Sequence, residues 1–242
     1  MSKVYADNIE PRDSSMDVTI GTSTNTITLA GNDLRANTVK DSGGNTLWTS
    51  DGSGNLSSVN SGLAGNLVLL STQTSSGASS VSFTSDIDDT YDVYVFKLIE
   101  INPSVDNTRI NVNFSADGGS NWMTKTSTYF RAIHRQAGTN SGIAYDNGDD
   151  LAQSTDKQRL CHGIGSAASE CGVGDLTLFS PTSTTYVKHW YSTMQVYYPA
   201  DGEYSIECFT AGYCNTTSAI NLVKYEMSSG NFDGIIKMYG VL

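Results

Sequence analysis

Apolar and polar positions divide the chain into two unequal parts. In the longer part, residues 67–242, apolar and aromatic residues recur in runs that Gly, Pro, Asn or Asp interrupt. The densest run, residues 91–101, contains neither Gly nor Pro, and its Tyr, Val, Phe and Ile residues suit a pleated, half-buried surface. This run predicts a long central strand. Shorter runs predict further strands at residues 81–84, 109–115, 126–133, 158–164, 175–179, 186–198, 204–210, 220–227 and 234–242.

The strand at residues 109–115 has the cleanest alternation in the chain. Ile110, Val112 and Phe114 alternate with polar residues, which predicts one buried and one solvent-facing side. Residues 73–80 are interpreted as a polar link and residues 134–156 as a long surface loop. Because no helical pattern separates the strands, they predict an antiparallel, jelly-roll-like β-sandwich of nine or ten strands.

The first 60 residues have a different pattern, with apolar residues only in twos or threes. Val18 and Ile20, and then Ile27 and Leu29, are spaced two apart and separated by turn sequences, which predicts a ladder of very short strands. A small repeat, residues 41–47 and 51–56, places Asp at the start of a turn, Gly where positive φ is needed and Asn before the next strand. The repeat predicts tandem hairpins.

So few apolar side chains cannot offset the entropy of ordering this segment alone, roughly 1–2 kcal/mol per residue for the backbone. One interpretation is a flexible Ser/Gly/Asn-rich tail. The other is an intertwined homotrimer in which three chains pool their short strands, and the regular return of Ile, Leu or Val favours it. The small residues at 60–66 mark the boundary, which predicts an attachment and trimerisation segment at residues 1–62 and a sandwich domain at residues 63–242.

Charge and hydropathy narrow the choice of partners. The net charge of −11 would repel a phosphate backbone, so we expect no nucleic-acid partner. The chain starts without an apolar leader and has no run of about 18 apolar residues, so we expect a soluble protein made without Sec export and not inserted in a membrane.

The four cysteines, Cys161, Cys171, Cys208 and Cys214, permit three pairings if all are oxidised. A chain that can bury a full β core does not need such links, and without a leader free thiols are favoured. The gaps between the cysteines are not the short spacing of structural zinc sites, so we expect no metal and no cofactor.

Residues with catalytic potential do not form a recognisable motif. His134, His162 and His189 are scattered, and residues 86–97 lack the glycine and the final glutamate of an EF-hand loop. A glycosidase would need two acids facing each other across a cleft. Candidate acids are available, but solvated loop acids are the simpler interpretation: Asp86, Asp88, Asp89, Asp92, Asp149, Asp150, Glu203 and Glu207.

A more specific candidate is the turn that contains Asp117, Asn121 and Trp122. A Trp ring with neighbouring polar side chains is typical of a sugar-binding surface, and a rigid sandwich can present such a loop outward. The alternative is that Trp122 packs under its own turn. The aromatic strand at 186–198 has a similar ambiguity, since its Tyr side chains could face a subunit interface.

Several stretches resemble structural proteins of tailed-bacteriophage virions, a family that includes trimeric capsid decoration or head-fibre proteins and tail-fibre-like proteins. They are residues 6–11, 18–21, 25–29, 94–103, 114–122 and 234–242. The resemblance implies assembly in the bacterial cytoplasm, a place on the virion surface, and capsid or tail proteins as partners.

Three function classes follow from these observations. The first is a non-enzymatic virion protein that gains avidity from three copies and binds a capsid or a host glycan. The second is a virion-associated glycan-degrading enzyme, and the third is a free carbohydrate-binding module. The polar ladder at the start of the chain favours the first class, because a free module has no use for it.

Overall fold

The computed structural model describes residues 36–50, 52–53, 56–59, 66–199 and 202–242. Among them there is no helix, and so none that is long and apolar enough to cross a membrane. The all-β prediction is confirmed for this part of the chain. Contacts divide the chain into two compact units, Met1–Leu63 and Ala64–Leu242. The short strands predicted at 18–20 and 27–29 lie outside the described residues, as do residues 60–65 of the predicted boundary.

The described strands of the first unit form a small antiparallel sheet. They are β1 (Thr38–Lys40), β2 (Thr46–Ser50) and β3 (Leu56–Val59), in that order across the sheet. Register places Val39 opposite Trp48 and Trp48 opposite Val59, so three apolar side chains form one row. None of the three is buried. The row is an apolar stripe that the described part of this unit leaves partly open to solvent.

The turn between β1 and β2 follows the chemistry of its sequence. Asp41 Oδ1 accepts hydrogen bonds from the backbone N–H groups of Gly43 and Asn45, both at 2.8 Å. Asn45 Nδ2 donates to Asp41 Oδ2 at 3.0 Å, and Gly44 adopts φ +83°. We call this arrangement of an aspartate and the asparagine four residues later an Asp–Asn clasp. It satisfies the turn's backbone donors and fixes the hairpin.

The second unit is a sandwich of two antiparallel sheets. Its strands are β4 (Leu67–Ala78), β5 (Ser80–Phe83), β6 (Val93–Pro103), β7 (Ile110–Ser115), β8 (Lys125–Arg135), β9 (Ser141–Tyr145), β10 (Gln158–Arg159), β11 (Gly172–Phe179), β12 (Lys188–Tyr198), β13 (Tyr204–Cys214), β14 (Leu222–Met227) and β15 (Phe232–Val241). One sheet has eight strands in the order β4-β15-β6-β11-β12-β13-β8-β9, and the other has four in the order β10-β7-β14-β5. The predicted antiparallel sandwich is confirmed.

The core lies between the two sheets. Strand β6, the predicted central strand, alternates buried and half-buried positions along most of its length, as expected for a strand with one face inside. On its buried face Phe96 meets Phe83 of the smaller sheet, with 5.2 Å between ring centroids, and Tyr225 at 5.7 Å. Phe114 of the smaller sheet packs against Trp190 at 5.8 Å. These aromatic contacts join the sheets.

Strand β7 corrects one prediction. All six of its residues are buried, so the polar side does not face solvent. Asn111 Nδ2 donates to the carbonyl of Glu226 at 3.0 Å, and Asn113 Oδ1 accepts a hydrogen bond from Lys125 Nζ at 2.6 Å. Because these amides find partners inside, they can be buried at little cost. Alternation therefore identified the strand but not its environment.

Two segments predicted to be irregular are strands. The polar link at residues 73–80 belongs mostly to β4, an edge strand of the eight-stranded sheet, where Ser, Thr and Gln side chains are readily tolerated. The predicted surface loop at 134–156 contains β9, the opposite edge strand, which is exposed along its whole length. Edge strands lack the hydrophobic pattern that identifies central ones, which explains both errors.

Candidate functional site

The Asp117–Trp122 turn follows β7 and returns the chain towards β8. The buried hydroxyl of Ser115 donates to Asp117 Oδ1 at 2.8 Å and accepts from the N–H of Gly119 at 2.9 Å. Gly118 and Gly119 adopt φ of +73° and +93°, a conformation that other residues rarely adopt. The Met123 N–H then donates to the carbonyl of Phe114 at 2.9 Å and closes the turn.

Asp117 and Asn121 form a second Asp–Asn clasp. Asn121 donates its backbone N–H to Asp117 Oδ1 at 2.8 Å and its Nδ2 to Oδ2 at 2.7 Å. These bonds from Asn121, with the one from Ser115, lower the pKa of Asp117 to about 2, so it is ionised at neutral pH. Since the clasp in the first unit has the same bonds, the arrangement is a way of building a turn. It also leaves less hydrogen-bonding capacity for a ligand.

Trp122 is half-buried beside this clasp. Lys224 Nζ lies 5.7 Å from the centroid of its ring, a cation–π contact, and donates to Glu226 at 2.7 Å. Trp122, Asp117 and Asn121 line one hollow of about 200 Å³. The structure thus brings the three predicted residues together, with one ring face approached by a lysine. Their role in binding glycan stays a prediction.

The candidate acids are partly engaged in structural bonds. Asp149 is ion-paired with Arg159, and Asp150 accepts a hydrogen bond from the Tyr145 hydroxyl at 2.6 Å. Asp88 accepts from the Thr90 N–H at 2.9 Å. Acids held in this way stabilise loops, and Asp149 and Asp150 also line one hollow of about 390 Å³.

The histidines occupy unrelated positions. His134 and His189 are exposed on β8 and β12 of the large sheet, which β13 separates, whereas His162 is half-buried and packs edge-on against Tyr198 at 4.8 Å. Burial, and then the charges of Arg131 and Arg109, lower the pKa of His162 to about 4. His162 is therefore neutral at physiological pH. In the part of the chain that the structure describes, no three His, Cys, Asp or Glu side chains converge on a common point.

All four cysteines are free thiols, and three of them, Cys161, Cys208 and Cys214, are buried. Burial raises the pKa of Cys161 and of Cys208, and raises that of Cys214 to about 12. A nucleophilic cysteine needs a thiolate at neutral pH, and these three thiols stay protonated. They pack as small apolar side chains.

Sequence reasoning missed two buried lysines that flank Cys214. Register places Lys188 and Lys125 on either side of it, on β12 and β8, and both are 0% exposed. Lys125 Nζ donates to Asn113 Oδ1 and to the Met123 carbonyl, and burial lowers its pKa to about 8. Burial also lowers the pKa of Lys188. The alternation of residues along β12 could have indicated that Lys188 is buried, since Lys188 lies on the same face of the strand as Trp190.

The outer face of the eight-stranded sheet was also missed. Seven of the exposed large apolar side chains of the sandwich lie on this one face: Leu67, Leu69, Phe130, Ile143, Tyr145, Val173 and Tyr191. Phe130 also stacks on Phe209, with ring centroids 4.7 Å apart. These side chains extend from β4 at one edge of the sheet to β9 at the other.

Comparison of the chain with protein-family models, with curated proteins and with solved structures finds no match in any of the three.

Proposed function

We propose that this protein is a non-enzymatic structural protein of a tailed-bacteriophage virion. Its N-terminal segment anchors the chain to capsid or tail proteins and trimerises it, and its sandwich projects from the particle as a capsid decoration, head fibre or short tail fibre. Assembly takes place in the cytoplasm of the bacterial host.

The observation that supports a trimer is the apolar row Val39–Trp48–Val59 in the first unit. These side chains are aligned by register, yet none is buried, and Val59 is 38% exposed. A three-stranded sheet with a single open apolar row gains little stability alone, whereas three copies can bury their rows against one another. Copies joined in this way would present three sandwiches, so weak contacts would add to a durable attachment.

The titratable groups favour binding over catalysis. Cys161, Cys208 and Cys214 are protonated, His162 is neutral, and Lys125 is held by two acceptors inside the core. Such groups stabilise a scaffold. The exposed aromatic face offers binding area, which supports recognition of a host surface.

The experiment is a mass measurement in solution by light scattering, on the full chain and on residues 63–242. We expect three copies of the 25.9 kDa chain for the full-length protein and one copy for the shorter fragment. Trp48→Ser, which interrupts the apolar row, should dissociate the trimer, and Tyr186→Ala in the sandwich should leave it intact. A full-length monomer would contradict the proposal.

A second candidate function, a carbohydrate-binding module, is favoured by one observation. A groove lined by aromatic side chains crosses the outer face of the large sheet. This candidate is compatible with the first, because a projecting sandwich can carry such a groove.

A further inference from the structure

A groove of about 380 Å³ lies on the outer face of the eight-stranded sheet, across β11, β12, β13 and β8. Its volume falls in the range of about 300–1,000 Å³ that is common for small-molecule sites. The lining residues are Thr126, Ser127, Thr128, Phe179, His189, Trp190, Tyr191, Ala211, Gly212 and Tyr213. This groove is separate from the hollow beside Trp122 and shares no residue with it.

The groove exists because a small residue stands among large ones. Register places Ala211 between Tyr191 and Thr128, and Tyr213 follows two positions later on the same face. Ala211 is exposed, so its methyl group forms a low floor between taller side chains. On the other side of the same strand, Gly212 has no side chain, which leaves room for the ring of Trp190 in the core.

Two aromatic pairs form the walls. Phe179 and Tyr191 have ring centroids 5.7 Å apart, and His189 and Tyr213 have centroids 6.1 Å apart. Tyr191 is 47% exposed, so part of its ring is open to a ligand. Each pair combines an apolar ring face with a polar edge, and the Thr128 hydroxyl lies on the opposite side of the floor.

The lining determines the class of ligand. It contains no Asp, Glu, Lys or Arg, so it has no fixed charge to pair with an anionic or cationic group. The net charge of −11 also disfavours an acidic ligand. A sugar ring presents an apolar C–H face that packs on an aromatic ring and hydroxyl groups that bond to polar edges. Without a carboxylate pair, the groove cannot hydrolyse a glycosidic bond by the usual two-acid mechanism.

We propose that this groove binds a neutral glycan, with Tyr191 and Tyr213 packing against sugar rings above the Ala211 floor. The inference rests on the proposed function in that the sandwich is the part of the protein that meets the host surface. It adds to the proposed function the class of ligand, a neutral glycan, and the residues that bind it. A second copy of this chain is the competing occupant, and it is distinguished by the experiment below.

The experiment begins with a printed array of neutral and acidic glycans, followed by calorimetric titration of the full-length protein with the best neutral oligosaccharide. Tyr191→Ala and Tyr213→Ala should each weaken binding by about tenfold or more. Ala211→Trp, which fills the groove from an exposed position, should abolish it. Tyr186→Ala is the matched control, since Tyr186 is 70% exposed and outside the groove, and it should bind as the wild type does.

Three binding results would overturn the inference. They are binding to no neutral glycan on the array, preference for acidic glycans, or full binding by Ala211→Trp. A change in solution mass caused by Ala211→Trp would also overturn it, because the groove would then be a contact between copies. The mass of the unmodified chain tests the proposed function separately, so a trimer that binds no glycan would refute only this inference.

Discussion

The two faces of strand β12 differ in burial: adjacent residues alternate between the core and the solvent-exposed outer face. Lys188 and Trp190 point into the core, where the lysine is held by backbone carbonyls and the indole packs on Phe114. His189 and Tyr191 point outward and line the groove. The lysine and the indole are held inside by their contacts, whereas the outward imidazole and phenol rings are open to solvent.

This difference predicts that the eight-stranded sheet separates stability from binding. The inner face is fixed by packing against the smaller sheet, so substitutions there should affect folding. The outer face is covered by no element of the described sandwich, so substitutions there should affect recognition alone.

The largest expected effect comes from Trp190→Ala. Trp190 is 2% exposed, and removing its ring leaves a cavity that should lower the free energy of unfolding by about 3–5 kcal/mol. Tyr191→Ala, one residue along, should cost less than about 1 kcal/mol because its ring is half in solvent. Urea unfolding followed by fluorescence measures both values. Equal losses for the two variants would contradict the assignment of the faces.

The next effect is the pH dependence that Lys125 introduces. Its folded pKa of about 8 lies below the 10.5 of an ordinary lysine, so at pH values between the two, Lys125 carries a proton less often in the folded protein than in the unfolded chain. The free energy of unfolding of the wild type should therefore rise with pH relative to Lys125→Met, by up to about 1.4 kcal/mol per pH unit.

Urea midpoints at intervals between pH 7 and pH 10 measure this difference. Lys237→Met, on the outer face of β15, is the control for loss of a lysine, and its curve should run parallel to that of the wild type. If the free energies of unfolding of the wild type and Lys125→Met differ by the same amount at every pH, Lys125 keeps its ordinary pKa and the prediction is wrong.

The smallest effect is expected at the clasp of the Asp117 turn. The folded pKa of Asp117 is depressed to about 2, so its stabilising contribution is present above the unfolded value of 3.8 and is lost as pH falls towards 2. Asn121→Ala removes the side-chain donor, and its thermal midpoint should fall below the wild-type value at pH 6. The gap should narrow as pH approaches 2, and a gap that widens in acid would refute this role.

The sequence was sufficient to predict the fold class because period-two runs such as β6 are dense and β-branched. It did not indicate that Asn111 and Asn113 are buried, since the partner of Asn111 comes from β14, far along the chain, and that of Asn113 comes from β8, across a turn. It also missed β9, whose exposed edge position imposes no apolar pattern. Local pattern predicts strands, whereas burial depends on what packs against them.

The candidate sites show the same limit. The residues of the Asp117 turn are contiguous, so the sequence could bring them together, and their hydrogen bonds recur in the Asp41 turn. The groove is built from four strands, and it depends on Ala211 standing next to Tyr191 in register. The aromatic run at 186–198 was one signal, but the register of β13 with β8, which are far apart in sequence, is not legible in one chain.

The central claim is that recognition belongs to the outer face at Ala211 and not to the Asp117 turn. Amide chemical shifts recorded while a neutral oligosaccharide from the array is added test it most directly. We predict that the shifts that change cluster at Thr128, Tyr191, Ala211 and Tyr213. Changes centred on Asn121 and Trp122, or no changes at saturating sugar, would contradict it.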